Sequence, residues 1–223
     1  MTDLLKFFFF KKIIFWLKKI FNRKKITIDK NHQEIFKYCN EIKRNGYYIV
    51  QNFLSKENCD LITKSIDDFY LNNKNMIWIE KSNTEYRIFG AEKINKEIMN
   101  FFLNKTLISV GSKCFGRKIS NLMTMANKVN VNNNNFGSGG GWHRDDLNFQ
   151  FKAIIYLCDV DENNGPFQLL EKSNSFLSMI QDSIKSKFSI LNTRIANNNI
   201  ALLDQKRLKT ITGKAGTLIL VDT

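Results

Sequence analysis

The chain has 223 residues, 43% of them hydrophobic and 25% charged, with a net charge of +13. That length suits one domain with a substantial core plus an appended segment, and the apolar content is ordinary for a globular chain. The charge does not describe a nucleic-acid binder: residues 1–25 hold eight Lys/Arg against Asp3, which is +7 of the total, and no nucleic-acid module accompanies the +6 spread over the rest.

Segment 1–25 is read separately from a domain spanning 26–223. Its apolar runs are broken by lysine pairs, so none approaches the ~20 residues of a spanning helix, and it lacks the uncharged core of a secretory signal. On a helical wheel Lys11, Lys12, Lys18, Lys19 and Arg23 gather on one side, and Phe9, Phe10, Ile13, Ile14, Trp16, Leu17, Ile20 and Phe21 on the other. Such a basic amphipathic helix fits either of two roles. It could anchor the chain at a membrane interface through residues 4–25, or pack its apolar side on its own domain.

The cysteines, Cys39, Cys59, Cys114 and Cys158, have no C-x-x-C spacing. They read as reduced, mostly buried thiols of a cytoplasmic protein. Peripheral contact with the inner face of a membrane follows if the N-terminal helix is an anchor.

Further along, Asp29 as cap and Ile35, Phe36, Cys39 and Ile42 at helical spacing predict a helix ending at Asn45-Gly46, followed by a strand over 47–50. A second helix starts after Ser55 and buries Cys59, Ile62, Ile66 and Phe69; a third spans about 95–115. Arg87 is a candidate for contact with substrate or an anion, set against the commoner role of a solvated arginine. A strand over 122–131 runs into an Asn tract at 132–135, read as a loop like the tract 197–199. Lys152 opens the next strand, where it could reach an anionic co-substrate or serve as an ordinary strand-edge lysine.

The chain is organised around residues 137–174. His143 and Asp145 are two apart, so in extended backbone both face one side, while Arg144 points the other way. An imidazole and a carboxylate are two-thirds of the facial triad that holds non-haem Fe(II). The glycine-rich run 137–141 precedes the pair, and an apolar strand 153–160, a polar turn 161–166 and a return strand 167–170 follow it, reading as a hairpin.

Trp142-His143-Arg144-Asp145, the strand 152–160, the turn Glu162-Asn163-Asn164-Gly165-Pro166-Phe167 and the exit Lys172-Ser173-Asn174 together resemble the phytanoyl-CoA dioxygenase family. The resemblance is specific from about 127 to 174 and looser over 36–116 and 213–223. It implies a double-stranded β-helix, or jelly roll, of antiparallel strands with helices outside, an α+β arrangement. It also implies an oxygenase dependent on Fe(II), 2-oxoglutarate and O2 that hydroxylates a small organic, lipid-linked or glycan-linked substrate and releases succinate and CO2. His143 and Asp145 would be metal ligands, Asn130 would approach 2-oxoglutarate, and the insertion 172–209 would help to cover the site. Asn174 stands where the family's exit phrase has a His.

In the family a third ligand His and a 2-oxoglutarate Arg follow a late strand, here 216–222. The chain reaches Thr223 without them, and His32 lies in a helical stretch far from the pair. The expectation is therefore a C-terminally truncated chain with an incomplete site, weak Fe(II) binding, no turnover, and an unpaired apolar edge on Leu218 and Leu220. A metal-binding cupin-like protein without oxidative chemistry, and an inactive membrane-associated fragment, are the alternatives.

Overall fold

The structure, a computed structural model, describes residues 32–80, 84–130, 141–145 and 149–223. Segment 1–25 and the Asn tract 132–135 lie outside them, as does the capping position Asp29. In chain order the elements are α1 (His32–Asn45), β1 (Tyr47–Val50), α2 (Lys56–Asn72), β2 (Trp78–Ile79), β3 (Glu85–Phe89), α3 (Lys96–Phe102), α4 (Lys105–Phe115), β4 (Met125–Val129), β5 (Phe151–Ile155), β6 (Phe167–Leu170), α5 (Phe176–Lys185), α6 (Asn197–Ala201), β7 (Leu208–Ile211) and β8 (Leu218–Asp222). Among the described residues no helix is long and apolar enough to cross a membrane.

The late strand is the centre of the fold. β8 lies between β1 and β5, antiparallel to both, and Leu218, Ile219 and Leu220 are inaccessible to solvent. This overturns the expected apolar edge: both backbone flanks of β8 are hydrogen-bonded, so Leu218 and Leu220 are core, not edge. Period-two alternation then sorts the side chains. Leu218 and Leu220, with Phe151, Ala153 and Ile155 across the pairing, face the helices, where Ile35, Tyr38, Cys39 and Ile42 of α1 and Leu107, Val110 and Cys114 of α4 meet them. Lys152, paired with Val221, faces the other way. Gly111 lets α4 approach this closely, since a Cβ there would lie 2.9 Å from Phe151 and 2.5 Å from Ile119.

A second antiparallel sheet has the order β2-β3-β4, and Ile88 and Ala126 on it pack with Ile62 and Ile66 of α2 and Ile98 of α3. The expected single helix over 95–115 is two helices. Asn104 accepts the backbone N–H of Leu107 at 3.1 Å and caps α4, as Asn95 caps α3. An Asn side chain offers the backbone a partner that competes with helix continuation.

The expected hairpin is also absent. β5 pairs with β8 and β6 pairs with β7, because the chain between them turns away through Tyr156, whose N–H donates to Thr217 O, and through the Val160–Gly213 bridge. The turn itself is polar, with Asp161 N donating to Asn164 Oδ1 and Asn164 Nδ2 donating to the Asp159 carbonyl. The tract 197–199, expected as loop, opens α6.

Candidate metal centre

Backbone pairing between two irregular segments builds the site. Arg144 N donates to Thr193 O at 2.7 Å and Ile195 N donates to Trp142 O at 3.0 Å, which makes an isolated antiparallel bridge between His143 and Arg194. The insertion carrying Thr193 and Arg194 is fixed behind by Arg207. Its guanidinium donates to both oxygens of buried Asp182 on α5, at 2.6 and 2.9 Å, and to the Glu171 carbonyl.

His143 Nδ1 lies 2.8 Å from the Gly141 carbonyl. With the proton on Nδ1 the ring donates there, leaving the Nε2 lone pair free on the other side, which is how ligating histidines are oriented. Nε2 is 3.6 Å from Asp145 Oδ1, and the two side chains are 31% and 24% exposed. Asp145 Oδ2 accepts from Lys152 Nζ at 2.5 Å. Burial pushes the Asp145 pKa up, but hydrogen bonding from Lys152, the adjacent Thr223 hydroxyl and the charges of Lys152 and His143 outweigh it and hold the carboxyl below its usual range. The Thr223 hydroxyl is buried against this carboxylate without well-formed hydrogen-bond geometry. Asp145 is thus a carboxylate at neutral pH, the form a metal ligand needs.

The donor set fits two positions of an Fe(II) site: an imidazole with one ring nitrogen against a carbonyl and the other facing an ionised carboxylate. Among the described residues no third His, Cys, Asp or Glu joins them in a metal-holding group.

A cavity of about 320 Å³ opens at the pair, lined by Arg87, Met125, His143, Arg144, Asp145, Lys152, Thr193 and Arg194. Arg87 and Lys152 are therefore brought to His143 and Asp145. Arg144, expected to point away, also lines the cavity, because this stretch bends and the strict alternation of a strand does not apply. Arg87 is far from the solvated arginine of the commoner role. Its Nε and Nη2 donate to the buried Glu85 carboxylate at 2.7 and 2.8 Å, and it stacks over Trp78, 4.8 Å from the ring centre. Asn130 is not brought in; it lies beyond the end of β4, with its N–H donating to the Thr84 carbonyl. Three residues earlier and paired with Arg87 on β3, Asn127 donates to Glu85 Oε1 at 2.8 Å.

Sequence reasoning missed Glu85, Thr193 and Arg194. Glu85 had a signal, since Glu-x-Arg in a strand places both side chains on one face. Thr193 and Arg194 had none, because they reach the site by irregular pairing across about fifty residues of chain. The departure at Asn174 also acquires a role: Nδ2 donates to the Ile42 carbonyl at 3.1 Å and to Asp222 Oδ2 at 3.2 Å, tying the end of α1 to β8. The four cysteines are free thiols, and Cys158 is the exposed one.

A family model described as phytanoyl-CoA dioxygenase (PhyH) matches residues 42–222. No curated protein sequence matches the chain. Solved structures do: the epimerase SnoN in complex with Fe3+, alpha ketoglutarate and nogalamycin RO superposes with a TM-score of 0.54 at 12% identity, over 86% of this chain and 75% of that one. EctD from S. alaskensis in its apoform gives 0.55 and 13%, over 90% and 71%. SnoK, a non-heme alpha ketoglutarate dependent carbocyclase from nogalamycin biosynthesis, gives 0.53 and 11%, over 88% and 75%. At such identities the likeness is one of fold.

Proposed function

We propose, since the chain belongs to the phytanoyl-CoA dioxygenase family of Fe(II)- and 2-oxoglutarate-dependent oxygenases, that His143 and Asp145 are two of the protein ligands to the iron and that the cavity beside them receives co-substrate and substrate. The observation that carries this reading is the orientation of His143: Nδ1 is engaged by Gly141 O while Nε2 faces Asp145 Oδ1 across 3.6 Å. When bound, iron with 2-oxoglutarate and O2 supplies the oxidant that hydroxylates an unactivated carbon, with release of succinate and CO2.

The chain's own residues do the rest. Lys152 holds Oδ2 of Asp145, leaving Oδ1 on the His143 side. Arg87, made rigid by Glu85 and Trp78, presents its guanidinium to the cavity wall without the rotamer freedom of a solvated arginine. The bridge between 142–144 and 193–195 closes one side and restricts water. The β1-β8-β5 and β2-β3-β4 sheets are read as parts of a double-stranded β-helix formed by one domain over 26–223, and the cavity's size suits a small organic substrate.

The test is succinate formation from 2-oxoglutarate with Fe(II) and O2, for the wild type and for His143→Ala and Asp145→Ala. Loss of succinate in both variants supports the assignment. Measurable wild-type release that is unchanged in either variant refutes it, and iron uptake without 2-oxoglutarate binding in the wild type favours a metal-binding protein without oxidative chemistry.

A further inference from the structure

Alternation along β8 decides what the residue after it meets. Leu218 and Leu220 face the helix layer, and Asp222 follows them, its Oδ2 accepting from Asn174, which also donates to the end of α1. Ile219, Val221 and Thr223 therefore face the other way. That is the side on which Lys152 stands opposite Val221 and lines the cavity. The pairing with β5 continues one step past Asp222, because Thr223 N donates to Gln150 O at 3.1 Å. The backbone of Thr223 is thus fixed in strand register, one place along the cavity face from Val221.

The Thr223 hydroxyl is inaccessible to solvent and makes no well-formed hydrogen bond among the described residues. The acceptor beside it is the Asp145 carboxylate, whose ionised form it favours. Leaving a buried hydroxyl unmet is unfavourable, and its hydrogen rotates to suit an acceptor. An ionised carboxylate is the stronger kind of partner.

Asp145 is otherwise held at one oxygen: Lys152 Nζ takes Oδ2, while Oδ1 lies 3.6 Å from His143 Nε2. An ammonium on a flexible four-carbon stem attracts a carboxylate without fixing its plane. A threonine hydroxyl is two bonds from the backbone on a side chain stiff at χ1, so its position follows from the strand.

We propose that Thr223 is a positioning residue for the metal: its hydroxyl donates to the Asp145 carboxylate and, with Lys152, fixes the plane in which that carboxylate is presented beside His143. This rests on the reading of His143 and Asp145 as iron ligands.

The test is Fe(II) affinity of the full chain without O2, for the wild type, Thr223→Val, Thr223→Ala and Thr223→Ser, each checked for native circular dichroism. Thr223→Val keeps the shape and removes the donor, and should bind about tenfold more weakly or worse. Thr223→Ser loses the shape and keeps the donor, and should bind more tightly than Thr223→Val, the reverse of what a packing role gives. In an Asp145→Ala background Thr223→Val should cause no further loss, since the hydroxyl acts through that carboxylate. Wild-type affinity in Thr223→Val, Thr223→Ser no tighter than Thr223→Val, or the same loss from Thr223→Val in both backgrounds overturns the proposal. If Thr223→Val does not fold, Thr223→Ala against Thr223→Ser makes the same comparison. The two readings fail separately. Wild-type affinity in Asp145→Ala removes the ligand assignment itself, whereas weakened binding in Asp145→Ala with wild-type binding in Thr223→Val removes only the role of Thr223. No measurable Fe(II) binding by the wild type overturns both.

Discussion

On one face of β8, Leu218 and Leu220 lie among apolar side chains from α1, α4, β1 and β5, with no polar partner to satisfy. On the cavity side, Asp145, Lys152, Glu85 and Arg87 hold one another by charged hydrogen bonds, and the backbone beneath His143 is irregular. The first region draws stability from area removed from water and tolerates no polar change. The second spends its geometry on placing charges, and its partners are replaceable in stability terms but not in position.

The largest effect that separates the two regions is Leu220→Ala. A fully buried leucine truncated in a close-packed layer costs about 2–5 kcal/mol, measured as a lower urea midpoint at unchanged slope, while iron affinity per folded molecule stays as in the wild type. A change in iron affinity without a change in stability would mean the two faces of β8 are not separable.

Much of the apolar region was readable from residue spacing, and the cavity only in part. Ile35, Cys39 and Ile42 at helical spacing, and the run 218–221, announce burial whatever they pack against. What spacing could not give is partnership. β8 was read as an edge and is central, because which strands flank it depends on β1 and β5, one of them some 170 residues away. Likewise the return strand 167–170 exists, but it pairs with β7. In the cavity, His143, Asp145, Lys152 and Arg87 carried their chemistry in their residue types, and the structure brings the four together. Thr193 and Arg194 gave no pattern, since irregular backbone has no period, and Asn130 was placed by a spacing that loop lengths do not preserve.

A smaller effect sharpens the reading of the helix layer. Asn104→Ala removes the cap that divides α3 from α4 and should lower stability by about 1 kcal/mol, seen in thermal unfolding, with the cavity unaffected. An unchanged melting temperature would mean the division between the helices is set by packing alone.

The smallest change in global stability, and the most informative about the cavity, is in the titration of Asp145. Its folded pKa lies below the unfolded value of about 3.9. The ionised group therefore adds stability that is present above the unfolded pKa and lost as the pH falls through the depressed folded value. Lys152→Met keeps the burial and removes the main opposing hydrogen bond and charge, so the Asp145 pKa rises and the loss begins at higher pH. Carboxyl NMR titration of wild type and variant reads this directly, and coincident titrations would show that Lys152 does not set the ionisation of Asp145.

The measurement that bears most directly on the central claim is Fe(II) affinity without O2 for the wild type, His143→Ala and Asp145→Ala, each checked for native circular dichroism. Both variants should bind at least about tenfold more weakly than the wild type, since losing a ligand costs no less than losing a group that only orients one. Wild-type affinity in either variant would contradict the assignment of that residue to the metal.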